Sequence, residues 1–244
     1  MTRRMYRALA LGILLCLLAG AAVAETPPTV RSQVEIEGYP VPDVPERDAE
    51  EGYFAGAVLA GDSIAGGVLS SKTVPELDVI FQVGMSAHDA IGRRYFKAEK
   101  GDKLVSLRDA LVARKPRIVY LWMGLNGVAS SAPWQVLESY HLLLNQLIEA
   151  LPDTLFYLIE VTPVRKSAQN TSALLTNKNV DKFNEGLRAL ALEHNVYLLP
   201  VNALLRNEND LLDGQYAGGG GYHLATEAYT VLADYFYTHT VPLD

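Results

Sequence analysis

Five short apolar runs are the feature of this sequence that most restricts its fold. They are rich in branched and aromatic residues, as strands buried on both faces of a sheet are. The runs cover residues 54–60, 79–81, 117–123, 155–161 and 196–201. Intervals of helix length separate them, and such alternation is typical of parallel strands joined by crossover helices. It predicts an α/β fold: a flavodoxin-like, doubly wound, five-stranded parallel sheet with helices on both faces.

Apolar residues recur at helical spacing in the intervals between the runs. The segments 104–111, 137–151, 183–191 and 224–235 each place such residues on one face and predict helices. Ligands of doubly wound folds bind beyond the carboxyl ends of the strands. The loops that follow the strands are therefore where chemistry is expected.

The amino end has the three-part pattern of a secretory signal peptide. Arg3, Arg4 and Arg7 precede the apolar run 8–21, and Ala22-Val23-Ala24 provides an Ala-x-Ala site. The pattern predicts a signal peptide over residues 1–24 and a periplasmic, cell-surface or secreted protein with no other membrane segment. An uncleaved membrane anchor is the alternative, because the apolar run is near the lower length limit for crossing a bilayer.

Residues 25–52 have the composition of a linker. Five prolines interrupt any regular element, and residues 46–51 form a short acidic cluster. The segment is interpreted as a tether or as an edge that wraps the domain. Residues 53–244 are enough for one domain with a sizeable core.

Composition excludes several kinds of site and partner. Cys16 is the only cysteine and lies in the leader, so the mature chain has no disulfide, thiolate nucleophile or cysteine zinc site. The formal net charge is −7 and no basic run follows the leader, which argues against nucleic acid. His88, His141, His194 and His239 show no paired metal-ligand spacing. Neither a metal nor a cofactor is expected, and among oligomeric states a monomer is favoured.

The tetrapeptide Gly61-Asp62-Ser63-Ile64 follows the first apolar run. It predicts a strand, a tight turn and a helix start, with the Ser63 hydroxyl at the positive end of the helix dipole. A nucleophile is favoured there because backbone N–H groups already point at a developing oxyanion. A serine that only caps the helix is the alternative.

Other chemistry-bearing residues occupy the remaining loops. Gly84 follows the second run, Gly124-Leu125-Asn126 follows the third, and His223 precedes the last predicted helix behind a run of four glycines, residues 218–221. Each is a weak signal alone, since glycine and asparagine are common in turns and a lone histidine is usually structural. Together they occupy every loop in which a serine hydrolase needs a functional group.

In this order, Gly61-Asp62-Ser63, Gly84, Gly124-Leu125-Asn126 and His223-Leu224 resemble the four blocks of the SGNH (GDSL) hydrolase family. The resemblance extends over residues 53–240 and is greatest to the compact secreted or surface acylhydrolases. It implies a Ser63 nucleophile and a His223 base, with an oxyanion hole made by the backbone N–H groups of Ser63 and Gly84 and the side-chain amide of Asn126. The reaction implied is cofactor-free hydrolysis of a carboxylic ester, such as a small acyl ester or an O-acylated glycan.

Two positions depart from the family pattern. Gly127 stands where an acidic residue usually follows the asparagine, and Gly220 stands where the catalytic aspartate precedes the histidine by three residues. Three interpretations remain open: a backbone carbonyl of residues 219–221 supports His223, Asp213 replaces the aspartate, or the chain is a catalytically impaired glycan- or protein-binding domain. An O-acyltransferase would share the same nucleophile.

Overall fold

The computed structural model describes residues 43–243, so the predicted leader (1–24) and residues 25–42 of the predicted linker lie outside the described residues. Its main sheet has five parallel strands in the order β2-β1-β5-β6-β7. A separate antiparallel hairpin pairs β3 with β4. The strands are β1 (Ala57–Gly61), β2 (Asp78–Phe81), β3 (Phe96–Lys97), β4 (Leu104–Val105), β5 (Ile118–Trp122), β6 (Leu155–Ile159) and β7 (Tyr197–Leu199). The order confirms the predicted doubly wound sheet.

Seven α-helices connect or follow the strands within the described residues. They are α1 (Ser63–Ser71), α2 (Ala87–Gly92), α3 (Leu107–Arg114), α4 (Leu125–Val128), α5 (Pro133–Ala150), α6 (Asn177–Glu193) and α7 (Thr226–Thr238). Helix α1 contacts α7, whereas α5 contacts α2, α3 and α6. Right-handed crossovers to either side of β1 place these two groups on opposite faces of the sheet. Between residues 43 and 243, no helix combines the length and apolarity that crossing a membrane requires.

The centre of the sheet is buried on both sides. Every residue of β1 and β5 is buried, which explains why their sequences read as continuous apolar runs. The Tyr120 and Tyr157 rings stack at 4.7 Å, and the Tyr157 and Tyr53 hydroxyls lie 2.7 Å apart. The indole of Trp122 donates to the Glu160 carbonyl at 3.1 Å. The polar groups of Tyr53, Tyr157 and Trp122 thus find partners within the core, whereas the buried Tyr120 hydroxyl has none among the described residues.

Two predicted helix boundaries are wrong. Leu104 lies in β4 and not in the helix predicted for residues 104–111. That helix, α3, begins only at Leu107, because the Ser106 side chain caps it by accepting the Asp109 N–H at 3.1 Å. Leu224 precedes α7 and forms an isolated bridge with Ala217. Apolar spacing includes both residues, whereas local hydrogen bonding makes the two helices begin later, at Leu107 and Thr226.

Residues 43–52, which precede the domain boundary predicted at Tyr53, also contact the folded domain. Asp43 forms a parallel bridge with Leu198 of the edge strand β7, and its carboxylate pairs with Arg188. The Arg47 N–H donates to the Thr238 carbonyl at 2.7 Å. This part of the predicted linker therefore covers the β7 edge of the sheet.

The packing of α1 on α7 depends on a glycine. A Cβ atom on Gly67 would lie 1.9 Å from the hydroxyl of buried Tyr229, which donates to the Ile64 carbonyl at 3.0 Å. Gly67→Ala is therefore expected to lower the free energy of unfolding by ~1–3 kcal/mol in urea titrations.

The matched control is Gly92→Ala at the end of α2, where nothing lies within 4 Å of an added Cβ. That variant should leave the free energy of unfolding unchanged or raise it by up to ~1 kcal/mol. Equal effects of the two substitutions would contradict the packing explanation.

Candidate active site

The end of β1 fixes the position of Ser63. An added Cβ on Gly61 would lie 2.0 Å from the Trp122 carbonyl oxygen, so only glycine permits this approach of β1 to β5. Asp62 then caps α1, with Oδ1 accepting the Ile64 N–H at 2.9 Å. Ser63, the first residue of α1, is half-buried at the carboxyl edge of the sheet. The predicted strand, turn and helix are thus in place around the serine.

His223 reaches Ser63 from the loop before α7. The Ser63 Oγ and His223 Nε2 atoms lie 3.3 Å apart. The backbone holds the loop: Gly218 N–H donates to the His223 carbonyl at 2.8 Å, and His223 N–H donates to the Gly219 carbonyl at 3.2 Å. A hydroxyl and an imidazole at this separation can exchange a proton, and such contacts shorten when substrate binds.

The other side of the imidazole has no acceptor among the described residues. Within residues 43–243 the only hydrogen bond of the His223 ring is to Ser63, and no carboxylate oxygen lies within 4.0 Å of its nitrogens. Asp213, the candidate third member, does not reach the ring, because its Oδ1 accepts the Gln215 N–H at 2.9 Å in a local turn. The backbone carbonyl expected from residues 219–221 is not bonded to the ring either.

Side chains added at the neighbouring residues Gly219 and Gly220 would point in different directions. Gly220 has a φ of 69°, and a Cβ added there would lie 2.5 Å from Cε1 of Tyr222. The Tyr222 ring in turn lies against the imidazole, with ring centroids 4.5 Å apart. A Cβ on Gly219 would meet no atom closer than His223 Nδ1, at 4.0 Å. A side chain at position 219, and not one at position 220, would therefore approach Nδ1. The family pattern did not indicate this position.

The contacts of Asn126 connect the Gly84 loop with the turn that carries Ser63. Gly84 follows β2 with a φ of 77°, a conformation that favours glycine. The Asn126 side-chain nitrogen donates to Asp62 Oδ2 at 2.8 Å and lies 3.4 Å from the Met85 carbonyl oxygen. The longer contact is the weaker and is the one that a developing oxyanion can replace.

Asp62 has a wider role than bracing its turn. Its carboxylate is 1% exposed and receives both the Ile64 N–H and the Asn126 amide. Burial raises its pKa to about 7, although both hydrogen bonds favour the charged form. Asp62 therefore orients the side chain of Asn126, the predicted oxyanion donor. The two residues are far apart in the sequence, and no sequence pattern indicated this contact.

A polar groove begins next to the predicted oxyanion residues. Its cavity volume is about 410 Å³, and hydroxyl, amide and imidazole groups dominate its lining. Ser86 lies two residues beyond Gly84, and Gly127 directly follows Asn126. The lining also includes His88, Ser130, Ser131, Gln135, Glu138 and Ser139. The groove offers hydrogen-bonding groups close to the predicted oxyanion hole.

Solved structures share this fold at low sequence identity. A GDSL-like lipase from Bacteroides thetaiotaomicron has a TM-score of 0.58 and 16% identity, over 74% of this chain and 84% of that one. A candidate acylhydrolase from Bacteroides fragilis has a TM-score of 0.60 and 14% identity, over 79% and 88%. The lipase/acylhydrolase from Enterococcus faecalis has a TM-score of 0.53 and 13% identity, over 74% and 93%.

Sequence comparison is more specific about the family. Among curated proteins, none matches this chain. The model of the GDSL-like lipase/acylhydrolase family, in contrast, matches residues 59–231. That span is most of the chain and includes the Ser63 turn, Asn126 and His223. This chain therefore belongs to the GDSL-like lipase/acylhydrolase family, whose members hydrolyse ester bonds.

Proposed function

We propose that this protein is an exported carboxylic-ester hydrolase that forms an acyl intermediate on Ser63. The observation that carries the proposal is the 3.3 Å approach of Ser63 Oγ to His223 Nε2 at the carboxyl edge of the sheet. Membership of an ester-hydrolysing family supports the same reaction class. The apolar leader of the sequence supports export to the periplasm, the cell surface or the medium.

In this mechanism Ser63 Oγ attacks the ester carbonyl while His223 Nε2 takes its proton. The C–O bond to the alcohol breaks as His223 returns that proton to the leaving oxygen. Water then attacks the acyl-serine with His223 again acting as base, which releases the acid and restores the serine. Backbone N–H groups of Ser63 and Gly84 and the Asn126 amide stabilise each oxyanion, and losing one such donor costs ~3 kcal/mol.

The weak point of the mechanism is the support of His223. The Tyr222 ring lies where it can position the imidazole, but an aromatic ring stabilises a cation by only ~0.5–2 kcal/mol. In serine proteases, replacing the triad aspartate by asparagine reduces turnover ~10⁴-fold. We therefore expect slow turnover. The same missing carboxylate favours the second candidate function, a glycan- or protein-binding domain that uses the cleft without catalysis.

The polar groove supports an alcohol with several hydroxyl groups. Its serine hydroxyls and the Gln135 amide match an O-acylated glycan better than an alkyl chain. The net charge of −7 argues against nucleic acid as a ligand. We propose a small acyl ester or an O-acylated glycan as substrate, with a monomeric enzyme. An O-acyltransferase would use the same acyl-serine and a sugar hydroxyl in place of water.

A serine-directed probe separates the hydrolase from the binding domain. Residues 25–244 are expected to react with a fluorophosphonate and to hydrolyse p-nitrophenyl acetate, and Ser63→Ala should abolish both because the nucleophile is removed. Ser70→Ala, at the exposed end of the same helix, is the matched control and should retain both. Absence of labelling in the folded parent protein would refute the hydrolase in favour of the binding domain.

A carboxylate at position 219 should restore support to His223. With 4.0 Å between an added Cβ and Nδ1, an aspartate oxygen can reach hydrogen-bonding distance. Gly219→Asp is expected to raise kcat for p-nitrophenyl acetate about 10-fold or more, with little change in KM.

The matched control is Gly220→Asp, which restores the family's own position. Its side chain would be directed into Tyr222, so we expect no such gain and a lower Tm. A gain in kcat at position 220 but not at position 219 would show that the placement of the imidazole is wrong.

Asp62 should give the protein a distinct dependence of stability on pH. The pKa in the folded state, about 7, exceeds the usual value of 3.8, so stability from this group is complete below pH 4 and is lost as the pH rises through 7. Relative to Asp62→Asn, the parent is expected to lose up to ~4 kcal/mol of unfolding free energy between pH 4 and pH 7.

The control for that comparison is Asp213→Asn. Like Asp62, Asp213 accepts the N–H of the residue two positions ahead at 2.9 Å, but its side chain is only partly buried. In urea titrations across this pH range, Asp62→Asn is expected to depart further from the parental slope than Asp213→Asn does, because only Asp62 is fully buried. A parental slope in Asp62→Asn would show that Asp62 is charged throughout the range.

A further inference from the structure

Two histidines and a glutamate that are distant in sequence meet on the surface of α5 and α6. His141 lies within α5, Glu193 is the last residue of α6, and His194 caps that helix. The His194 Nε2 and His141 Nδ1 atoms are 3.0 Å apart, and Glu193 Oε1 is 3.6 Å from the same His141 nitrogen. All three potential ligand atoms lie within 4.8 Å of one another.

The three facing atoms together carry more lone pairs than protons. Two facing imidazole nitrogens can hold one proton between them, and a carboxylate supplies none. A tetrahedral zinc ion with bonds of about 2.0–2.2 Å separates its ligand atoms by roughly 3.3 Å, so the observed 3.0 and 3.6 Å separations lie on either side of that value. A divalent cation would accept electron pairs from all three atoms at once.

We infer that His141, Glu193 and His194 form a binding site for zinc or a similar transition-metal ion. The donor set decides the class of metal, because imidazole nitrogens select zinc, copper or nickel, whereas calcium and magnesium prefer oxygen ligands. The two ligand-bearing helices pack against each other, so small side-chain adjustments are enough to complete the triangle.

The site is open to solvent. The side chains of His141 and Glu193 are 34% and 58% exposed. His141 also lines a surface depression of about 610 Å³ together with Trp134, Leu137 and Leu142. An ion can therefore enter directly, and a water molecule or an external ligand can occupy its remaining coordination position.

The position of the cluster indicates a structural role for a bound ion. Helix α6 begins after the carboxyl end of β6 and ends before β7, so its last residues lie toward the edge of the sheet opposite Ser63. An ion there would join the end of α6 to α5 without contacting the proposed catalytic residues. It is expected to raise thermal stability and to leave esterase turnover unchanged.

The test uses untagged protein, residues 25–244, because a histidine tag would itself bind metal. After chelator treatment, titration with zinc chloride is expected to show one bound ion per chain by calorimetry and a rise in Tm. Magnesium chloride should do neither. His141→Ala and His194→Ala are each expected to weaken zinc binding at least 10-fold, and Glu193→Gln several-fold.

His88→Ala removes an exposed histidine of α2 outside the cluster and should bind zinc like the parent protein. Circular dichroism shows whether each variant is folded. The inference is overturned if the folded parent protein binds no zinc, or if the cluster variants bind it as tightly as His88→Ala does. Calorimetry and Tm require no esterase activity, so this result stands whether or not Ser63 is a nucleophile.

Discussion

The buried carboxylate of Asp62 connects the two loops on which the site depends. One oxygen caps α1 and thereby fixes Ser63, and the other receives the side-chain amide of Asn126. Ionising a carboxylate that is 1% exposed is unfavourable because it loses contact with water, and this burial raises its pKa. Burying this carboxylate therefore lowers stability at neutral pH but holds Ser63 and the Asn126 amide in a fixed relation, which the proposed mechanism requires.

The two halves of the site are supported unequally. The serine half rests on a buried strand, a capped helix and a carboxylate with two hydrogen bonds. The histidine half rests on backbone hydrogen bonds of a glycine-rich loop and on the neighbouring Tyr222 ring. In the proposed mechanism the groups around the oxyanion are therefore better preorganised than the proton-carrying histidine, and we expect proton transfer to limit turnover.

The parts of the structure that local sequence determines were predictable. The five strands of the main sheet were predicted from short, nearly continuous apolar runs, and the pairing of Ser63 with His223 was predicted from the resemblance to the SGNH family. Helix ends set by one side chain, such as the Ser106 cap beyond Leu104, were not predictable from apolar spacing. Nor was the contact of His141 with His194, which are 53 residues apart and become neighbours only through the packing of α5 on α6.

The run of four glycines near His223 follows from close packing. Residues 165–168 cover the loop: Arg165 N–H donates to the Gly221 carbonyl at 2.7 Å, and a Cβ on Gly221 would lie 2.3 Å from Ser167 Oγ. A Cβ on Gly218 would lie 2.9 Å from the Leu224 carbonyl oxygen, and one on Gly220 would meet Tyr222. Gly219 alone in the run has room for a side chain, and that side chain would point at His223 Nδ1. The path of this loop therefore disfavours an aspartate at the family's position while leaving space for a carboxylate one residue earlier.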